Sequence, residues 1–379
     1  MPTMIEFRLS LPGRIIFGEK VLRPSIIESF PKARKAMIVI TKGGSMRSLG
    51  YLDIVERALS EIGVDTVVFD GVSPNPRTKE VNRGWEEAVD EGVDVLVGLG
   101  GGSAIDAAKA IAVGAFARDD VTKYIYGERP MGALPVVAIP TTHGTGTEVN
   151  RYAVLTDPDG AAKKSIVSDH IIPRLAILDP TLTTSMPPWL SAGTTMDAFC
   201  HALEAYVGRR SNRFARSFAV EALKIILSYG PRVLDEGENL EVRGKLLWAS
   251  TAAGFAIHAG RVTLLHGMEH PISAHYDAHH GSVLGVLLKE WLEYSMKNDL
   301  PFRELASELG FGSIEDLRAA VLDFRSKMGF EKGLKEFGVR EEDIPMLAQE
   351  AVEHMAPVVN NNPVIPKKED IEEILRKSL

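Results

Sequence analysis

The sequence predicts an α/β domain built on a mostly parallel sheet, followed by a domain made of helices alone. Three observations carry this reading. Short β-rich runs alternate with helical patterns through the first half of the chain, the rhythm of a doubly wound sheet. Those runs are apolar at nearly every residue rather than at every second one, which suits parallel strands covered on both faces. After "SMPPWLSAG" the β-rich runs nearly vanish, and apolar residues recur at intervals of three and four. At 379 residues the chain exceeds the size at which one core keeps growing, so two domains are expected. We place them at 1–184 and 185–379, dividing near Ser185, because Pro187 and Pro188 stop what precedes and open a helix.

The elements follow in order. The amino-terminal "MPTMIEFRLSLPGRIIFGEK" alternates apolar and polar residues without a basic-then-apolar signal. Strand-length apolar runs come at Lys35–Thr41, Asp65–Val72, Val93–Gly100, Leu134–Thr142 and Leu175–Pro180. Between several of them lie helical stretches such as "YLDIVERALSEIG" and "EVNRGWEEAVDEG". In the second half Phe214, Phe218, Ala222, Ile225 and Tyr229 share a helix face, and "LKEWLEYSMK" and "IEDLRAAVLDFRSKM" show the same spacing. The tail "VVNNNPVIPKKEDIEEILRKSL" reads as a turn and a short amphipathic helix. With no long flexible linker in the sequence, the two domains are expected to share a rigid cleft.

A net charge of −8 argues against nucleic acid or an anionic membrane as the main partner, since both would repel the average surface. No apolar run approaches the ~18 residues that span a bilayer. A cytoplasmic protein with a small-molecule partner is expected, with a homo-oligomer left open. The single cysteine, Cys200, excludes an internal disulfide. One glutamine, Gln349, against 43 Lys and Arg and 51 Asp and Glu is a tendency of thermophile proteins.

The first chemical element is "VGLGGGSAIDAAKAIAV". A strand runs into Gly100, Gly101, Gly102 and Ser103, and a helix opens with Asp106 in its first turns. Glycines let backbone N–H groups approach a ligand, and a helix N-terminus attracts phosphate. We read a pyrophosphate cradle; the competing reading is a glycine turn required only by packing. A second loop, "PTTHGTGTEVN", follows the next strand and so lies at the same sheet edge. Thr141, Thr142, Thr145 and Thr147 supply hydroxyls there. Two such loops favour a dinucleotide over a single phosphate.

The second element is "HGMEHPISAHYDAHHG", which gathers five of the chain's 10 histidines, one Asp and one Glu, with no Lys or Arg. Asp197 and His201, four apart in a helical context, project from one face and can grip one ion. The pair and the histidine stretch make an O,N,N,N donor set, which suits Fe2+ or Zn2+ rather than Mg2+ or Ca2+. Spacing alone does not decide between His266 and His270, or between His279 and His280.

With these motifs in order from "LPGRIIFGEK" through "SPNP", "GLGGGSAIDAAKAIA", "IPTTHGTGTEV" and "TTMDAFCHALEAYV" to the histidine stretch, the chain resembles the iron-containing (group III) alcohol dehydrogenases, of dehydroquinate synthase-like fold. The resemblance implies a nucleotide-binding α/β domain, a helical metal-binding domain and catalysis in the cleft between them. It implies metal ligands at Asp197, His201, His266 and His280, and a cleft histidine near the nicotinamide at His270, leaving His275 and His279 structural. It implies cofactor contacts at Asn75, Gly101, Gly102, Ser103, Asp106, Thr141, Thr142, Thr145 and Lys164. His143 stands where the family usually has a small residue, and His279 where it often has proline.

The expected reaction is hydride transfer between a small primary alcohol or aldehyde and NADP(H), preferred over NAD(H). One carboxylate against a dication leaves the site net positive, which polarises a substrate oxygen, and His270 is the candidate for passing the hydroxyl proton outward. Lys42 occupies the position where NAD-preferring relatives carry Asp. Gly43, Gly44 and Ser45 would bring backbone and hydroxyl to a 2′-phosphate, with Lys42 or Arg47 adding charge; Gly43→Asp is expected to shift preference toward NAD(H). The rivals are a polyol dehydrogenase acting on glycerol, a dehydroquinate synthase-like enzyme, and a non-catalytic metal-binding protein. The second needs a basic cluster that the histidine stretch lacks; the third leaves both nucleotide-type loops unexplained.

Overall fold

The computed structural model describes residues 7, 9–11, 13–160 and 162–379, so most of the alternating amino-terminal stretch lies outside it. The chain forms two compact units, Ser10–Ser185 and Met186–Leu379.

The first unit is built on six parallel strands in the order β1-β8-β5-β4-β2-β3. These are β1 Ile15–Phe17, β2 Lys35–Thr41, β3 Asp65–Val72, β4 Val95–Gly100, β5 Val136–Pro140 and β8 Leu175–Leu178. Their continuous apolar character has a direct cause. Met37 and Val39 of β2 face one core together with Ala107 and Ile111 of the Gly102–Ala117 helix. Ala36, Ile38 and Ile40 face the opposite core with Leu52 and Val55 of the Tyr51–Glu61 helix. Both faces are covered, so no position in the strand interior is left for a polar residue.

Three of the expected runs, Val93–Gly100, Leu134–Thr142 and Leu175–Pro180, are longer than the strands they contain. The β5 ladder starts at Val136, after Pro135, which has no N–H to donate, and ends at Pro140, so Thr141 and Thr142 leave the sheet as loop. Three strands lie outside the expected runs. β1 is only three residues long, and β6 (Tyr152–Asp157) and β7 (Ala162–Val167) form a separate antiparallel hairpin. The hairpin's signal was present as Pro158, Asp159 and Gly160 between two β-rich stretches, a turn sequence with a mechanism.

The second unit has no strands among its described residues. Its central element, the Pro188–Val207 helix, opens on Pro188 after Pro187 and is buried at every residue from Ser191 to Val207. The Arg213–Tyr229, Leu240–Gly260 and His280–Ser295 helices pack around it, which is why its apolar residues occur on every side rather than along one stripe. The carboxyl-terminal Lys368–Lys377 helix follows a turn at Asn361 and Asn362. Asn361 Nδ2 donates to Gly260 O at 3.1 Å, and Trp291 Nε1 donates to Asn362 Oδ1 at 2.9 Å. Among the described residues no helix is long and apolar enough to cross a membrane.

Candidate metal centre and nucleotide cradle

Three helices of the second unit converge on one point. Asp197 and His201 stand one turn apart on the Pro188–Val207 helix, His266 lies in the first turn of the Leu264–Tyr276 helix, and His280 is the first residue of the His280–Ser295 helix. One donor atom from each of the four lies within 4.8 Å of all the others. Asp197 Oδ1 faces Nε2 of His201 at 3.4 Å, of His280 at 3.5 Å and of His266 at 3.6 Å. These separations are too long for charge-assisted hydrogen bonds, which run to about 2.9 Å. They match the roughly 3.4 Å edge of a tetrahedron whose ligands lie about 2.1 Å from a central ion. Asp197 Oδ1 and His266 Nε2 are buried and make no hydrogen bond, which is costly unless something else satisfies them. The donors therefore fit a divalent N/O metal.

A close helix approach sets this geometry. A Cβ on Gly281 would sit 1.9 Å from Gly193 O, and one on Gly193 would sit 2.2 Å from His279 Cε1. Glycine at both positions lets the helix carrying His280 lie directly against the helix carrying Asp197.

Behind the donors stand two carboxylates that sequence reasoning missed. Glu204 Oε2 contacts His266 Nδ1, and Glu269 Oε2 lies 2.5 Å from His280 Nδ1. Glu204 Oε1 also accepts from Thr263 N at 2.8 Å and Thr263 Oγ1 at 2.7 Å, capping the helix that carries His266. Glu269 accepts from Ser273 Oγ. Both glutamates are fully buried. Their signal was a charged residue inside an apolar helix, Glu204 seven after Asp197 and Glu269 three after His266. Counting them changes the charge expected from sequence: three carboxylates, not one, would surround a bound dication, which would leave the wider site net negative.

Burial opposes the charge on Asp197, but His201, His280 and His266 hold its carboxyl well below the usual carboxylate range. Burial lowers His201 to about 4. Burial also works against a charged His266, yet Glu204 and Asp197 raise it to about 10.

His270 is buried one turn beyond His266, its ring centroid 6.4 Å from that of His266 and 5.9 Å from that of His280. His275 points elsewhere, pairing with Glu350 at 2.9 Å. His279 is the residue just before the His280–Ser295 helix, makes no side-chain cap bond, and contacts Ser282 Oγ and the Trp189 ring.

In the first unit the expected cofactor residues collect at the carboxyl ends of four neighbouring strands. Thr141, Thr142 and Thr145 follow β5, Gly101, Gly102 and Ser103 follow β4, Lys42 to Ser45 follow β2, and Asn75 follows β3. Strand order reverses between β4 and β2, where open α/β sheets bind ligands. No side chain caps the Gly102–Ala117 helix, whose first residues lie in this row. Packing also requires the glycines: a Cβ on Gly102 would fall 2.5 Å from Thr145 Cγ2.

Several side chains are committed to other partners. Asp106 Oδ1 accepts from Thr147 Oγ1 at 2.5 Å and Oδ2 from Val154 N at 3.0 Å, tying the helix to the threonine loop and the hairpin. Buried Lys109, which lies inside a mostly apolar helix, donates to Thr147 O, Thr147 Oγ1, Asn150 O and Tyr152 O at 2.5–3.0 Å. Burial lowers it to about 8, with Asp106 and Glu148 opposing, so the ammonium persists at neutral pH. Lys164, on the hairpin, lies 4.7 Å over the Tyr126 ring. His143 is buried within the threonine loop. Lys42 Nζ donates to Glu80 Oε1 at 2.6 Å and Ser73 Oγ at 3.1 Å, and Arg47 pairs with Asp70 at 3.1 Å. Both cations near the β2 end are thus already balanced.

A parallel-sheet unit followed by a helical unit with a cluster of one aspartate and three histidines defines a two-part architecture, and sequence comparison gives it a family. The model for "Iron-containing alcohol dehydrogenase" matches residues 12–180, and that for "Fe-containing alcohol dehydrogenase family, C-terminal" matches residues 191–379. The chain belongs to the iron-containing alcohol dehydrogenase family. It is 32% identical over 360 residues to the NAD-dependent methanol dehydrogenase of Bacillus methanolicus, covering 92% of this chain and 93% of that enzyme. It is 33% identical over 355 residues to the 1,3-propanediol dehydrogenase of Citrobacter freundii, covering 91% of each. Among solved structures, an archaeal halo-thermophilic Red Sea brine pool alcohol dehydrogenase superposes with a TM-score of 0.92 at 34% identity, over 100% of both chains.

Proposed function

We propose that the protein is a metal-dependent alcohol dehydrogenase and aldehyde reductase that moves hydride between NADP(H) and a small primary alcohol or aldehyde. The observation that carries it is Asp197 Oδ1 facing three imidazole Nε2 atoms at 3.4–3.6 Å in a chain of this family. Asp197, His201, His266 and His280 would hold one Fe2+ or Zn2+. When bound, the ion supplies an electrophile for the substrate oxygen. In oxidation the alcohol carbon gives a hydride to nicotinamide C4 and its hydroxyl gives a proton, leaving an aldehyde, reduced nicotinamide and one proton. His270 accepts that proton and passes it outward, since imidazole titrates near neutral pH. Gly101, Gly102, Ser103, Thr141, Thr142 and Thr145 hold the nucleotide, and Asp106 acts behind them by fixing Thr147. A cytoplasmic setting, where nicotinamide nucleotides are supplied, belongs to this reading.

Relatives whose names state a cofactor use NAD or NADH. The choice of NADP(H) rests on the β2 end, where Lys42, Gly43, Gly44 and Ser45 offer no carboxylate and the space beside both glycines is open. Because Glu80 and Asp70 balance Lys42 and Arg47, a 2′-phosphate would rely on backbone N–H groups, Ser45 and the remaining ammonium N–H of Lys42. The test is anaerobic reconstitution with Fe2+ or Zn2+, followed by short alcohols, diols and aldehydes with each cofactor, read by nicotinamide absorbance. Metal-dependent turnover with NADP(H) ahead of NAD(H) is expected. No turnover with any substrate would refute the activity; equal or better efficiency with NAD(H) would refute the cofactor choice.

A further inference from the structure

The four donors leave unexplained why two acidic side chains lie fully buried behind two of the imidazoles. A buried carboxylate is expensive unless it is paired, and simple packing would be served as well by Gln, Leu or Met. Glu204 hydrogen-bonds His266 Nδ1 from the helix carrying Asp197 and His201, while Glu269 Oε2, on the helix carrying His266, stands 2.5 Å from His280 Nδ1 as a close charge contact that is not aligned as a hydrogen bond. Each therefore ties a ligand on one helix to a different helix. Each also lies on the side of the ring opposite the Nε2 that faces Asp197.

We propose that Glu204 and Glu269 are positioning residues of the metal centre: each holds a ligand imidazole through Nδ1, fixes the tautomer that leaves Nε2 for the ion, and places a negative charge behind it. The inference rests on the Asp197/His201/His266/His280 reading of the site. A proton kept on Nδ1 leaves the Nε2 lone pair directed at the ion, and the carboxylate makes that imidazole a stronger donor. The added charges favour a dication over none, so the pair governs metal retention.

The two positions differ in one respect. Glu204 also caps the helix through Thr263, whereas Glu269 is held by the Ser273 hydroxyl one turn along its own helix. Glu204→Gln keeps an oxygen for the cap, and Glu269→Gln leaves helix capping untouched.

The test is competition for Zn2+, and for Co2+ as a spectroscopic stand-in, between the apo-protein and a chromophoric chelator. Wild type, Glu204→Gln, Glu269→Gln and the double variant are compared. Each single variant is expected to bind metal about 10- to 100-fold more weakly, and the double variant more weakly still, with NADP(H) binding to the metal-free protein unchanged. Affinities within twofold of wild type in both singles overturn the proposal. Should the variants fail to fold, histidine 15N shifts of the neutral imidazoles in the metal-free wild type decide it. Protons on Nδ1 of His266 and His280 support it, and protons on Nε2 overturn it. A wild type that binds no metal at all would instead refute the metal-centre reading.

Discussion

Replacing Gly281 by Ala adds one methyl group where the structure has no room. The new Cβ would stand 1.9 Å from Gly193 O and 2.6 Å from its carbonyl carbon, whereas ordinary carbon contacts begin near roughly 3.5 Å. Both opposing atoms are backbone, so no side chain can turn aside; the helices must part by about 1.6 Å. Metal–ligand distances tolerate about 0.2 Å, and His280 is the residue immediately before the added methyl. The strain should cost about 1–3 kcal/mol of stability, the usual range for overpacking. The larger effect should be on the ion: with His280 withdrawn, three donors remain, and affinity should fall by at least ~10-fold, the scale seen when a mere outer partner is lost. Urea unfolding of the metal-free protein reads the first quantity, and chelator competition reads the second. A Gly281→Ala variant with wild-type metal affinity would refute the claim that glycine at this crossing sets the ligand geometry.

Other substitutions separate the remaining roles. His266→Ala or His280→Ala should abolish bound metal and turnover while nucleotide binding persists, whereas His270→Ala should keep the metal and slow turnover; metal analysis of all three variants checks this. Lys109→Met strips a buried donor from three carbonyls and a hydroxyl. At about 1–3 kcal/mol for each buried polar group left unmade, it should destabilise the first unit by several kcal/mol and raise KM for the cofactor more than it lowers kcat. Gly43→Asp is a poor test of cofactor choice, because φ there is +113° and a side chain would strain the backbone. Lys42→Asp tests it directly, with Lys42→Met as control for the partner lost by Glu80; the ratio of kcat/KM for NADP(H) to that for NAD(H) should fall in the first.

The division into a parallel-sheet part and a helical part was legible because both patterns are written in local periodicity. Burial on two faces turned β2 and β4 into unbroken apolar runs, and burial on one face left stripes on helices such as Arg213–Tyr229. What stayed hidden depends on contacts distant in sequence. Glu204 and Thr263 are 59 positions apart, and Lys109 and Asn150 are 41 apart; no local window connects them. The choice between His266 and His270 was equally closed to spacing, since both sit on one helix face, and it came from family resemblance. Lys42 illustrates the opposite error. From sequence it looked like spare positive charge beside a glycine turn, but β3 runs next to β2 and the chain after it brings Ser73 and Glu80 to the ammonium.

The donors arrive from three helices, and that arrangement has a consequence for the life of the protein in a cell. His201 and His266 lie 65 positions apart in a chain whose single cysteine, Cys200, permits no internal disulfide. An ion shared by them closes that span as a covalent staple would, and closing a loop of this size is worth about 4 kcal/mol in the chain-entropy model. Unlike a disulfide, the staple is reversible and its strength follows the free concentration of the ion. If the four donors hold an ion as proposed, the empty protein should unfold more often and be exposed to proteolysis when metal is scarce, so the amount of protein, and not just its activity, should track the metal supply.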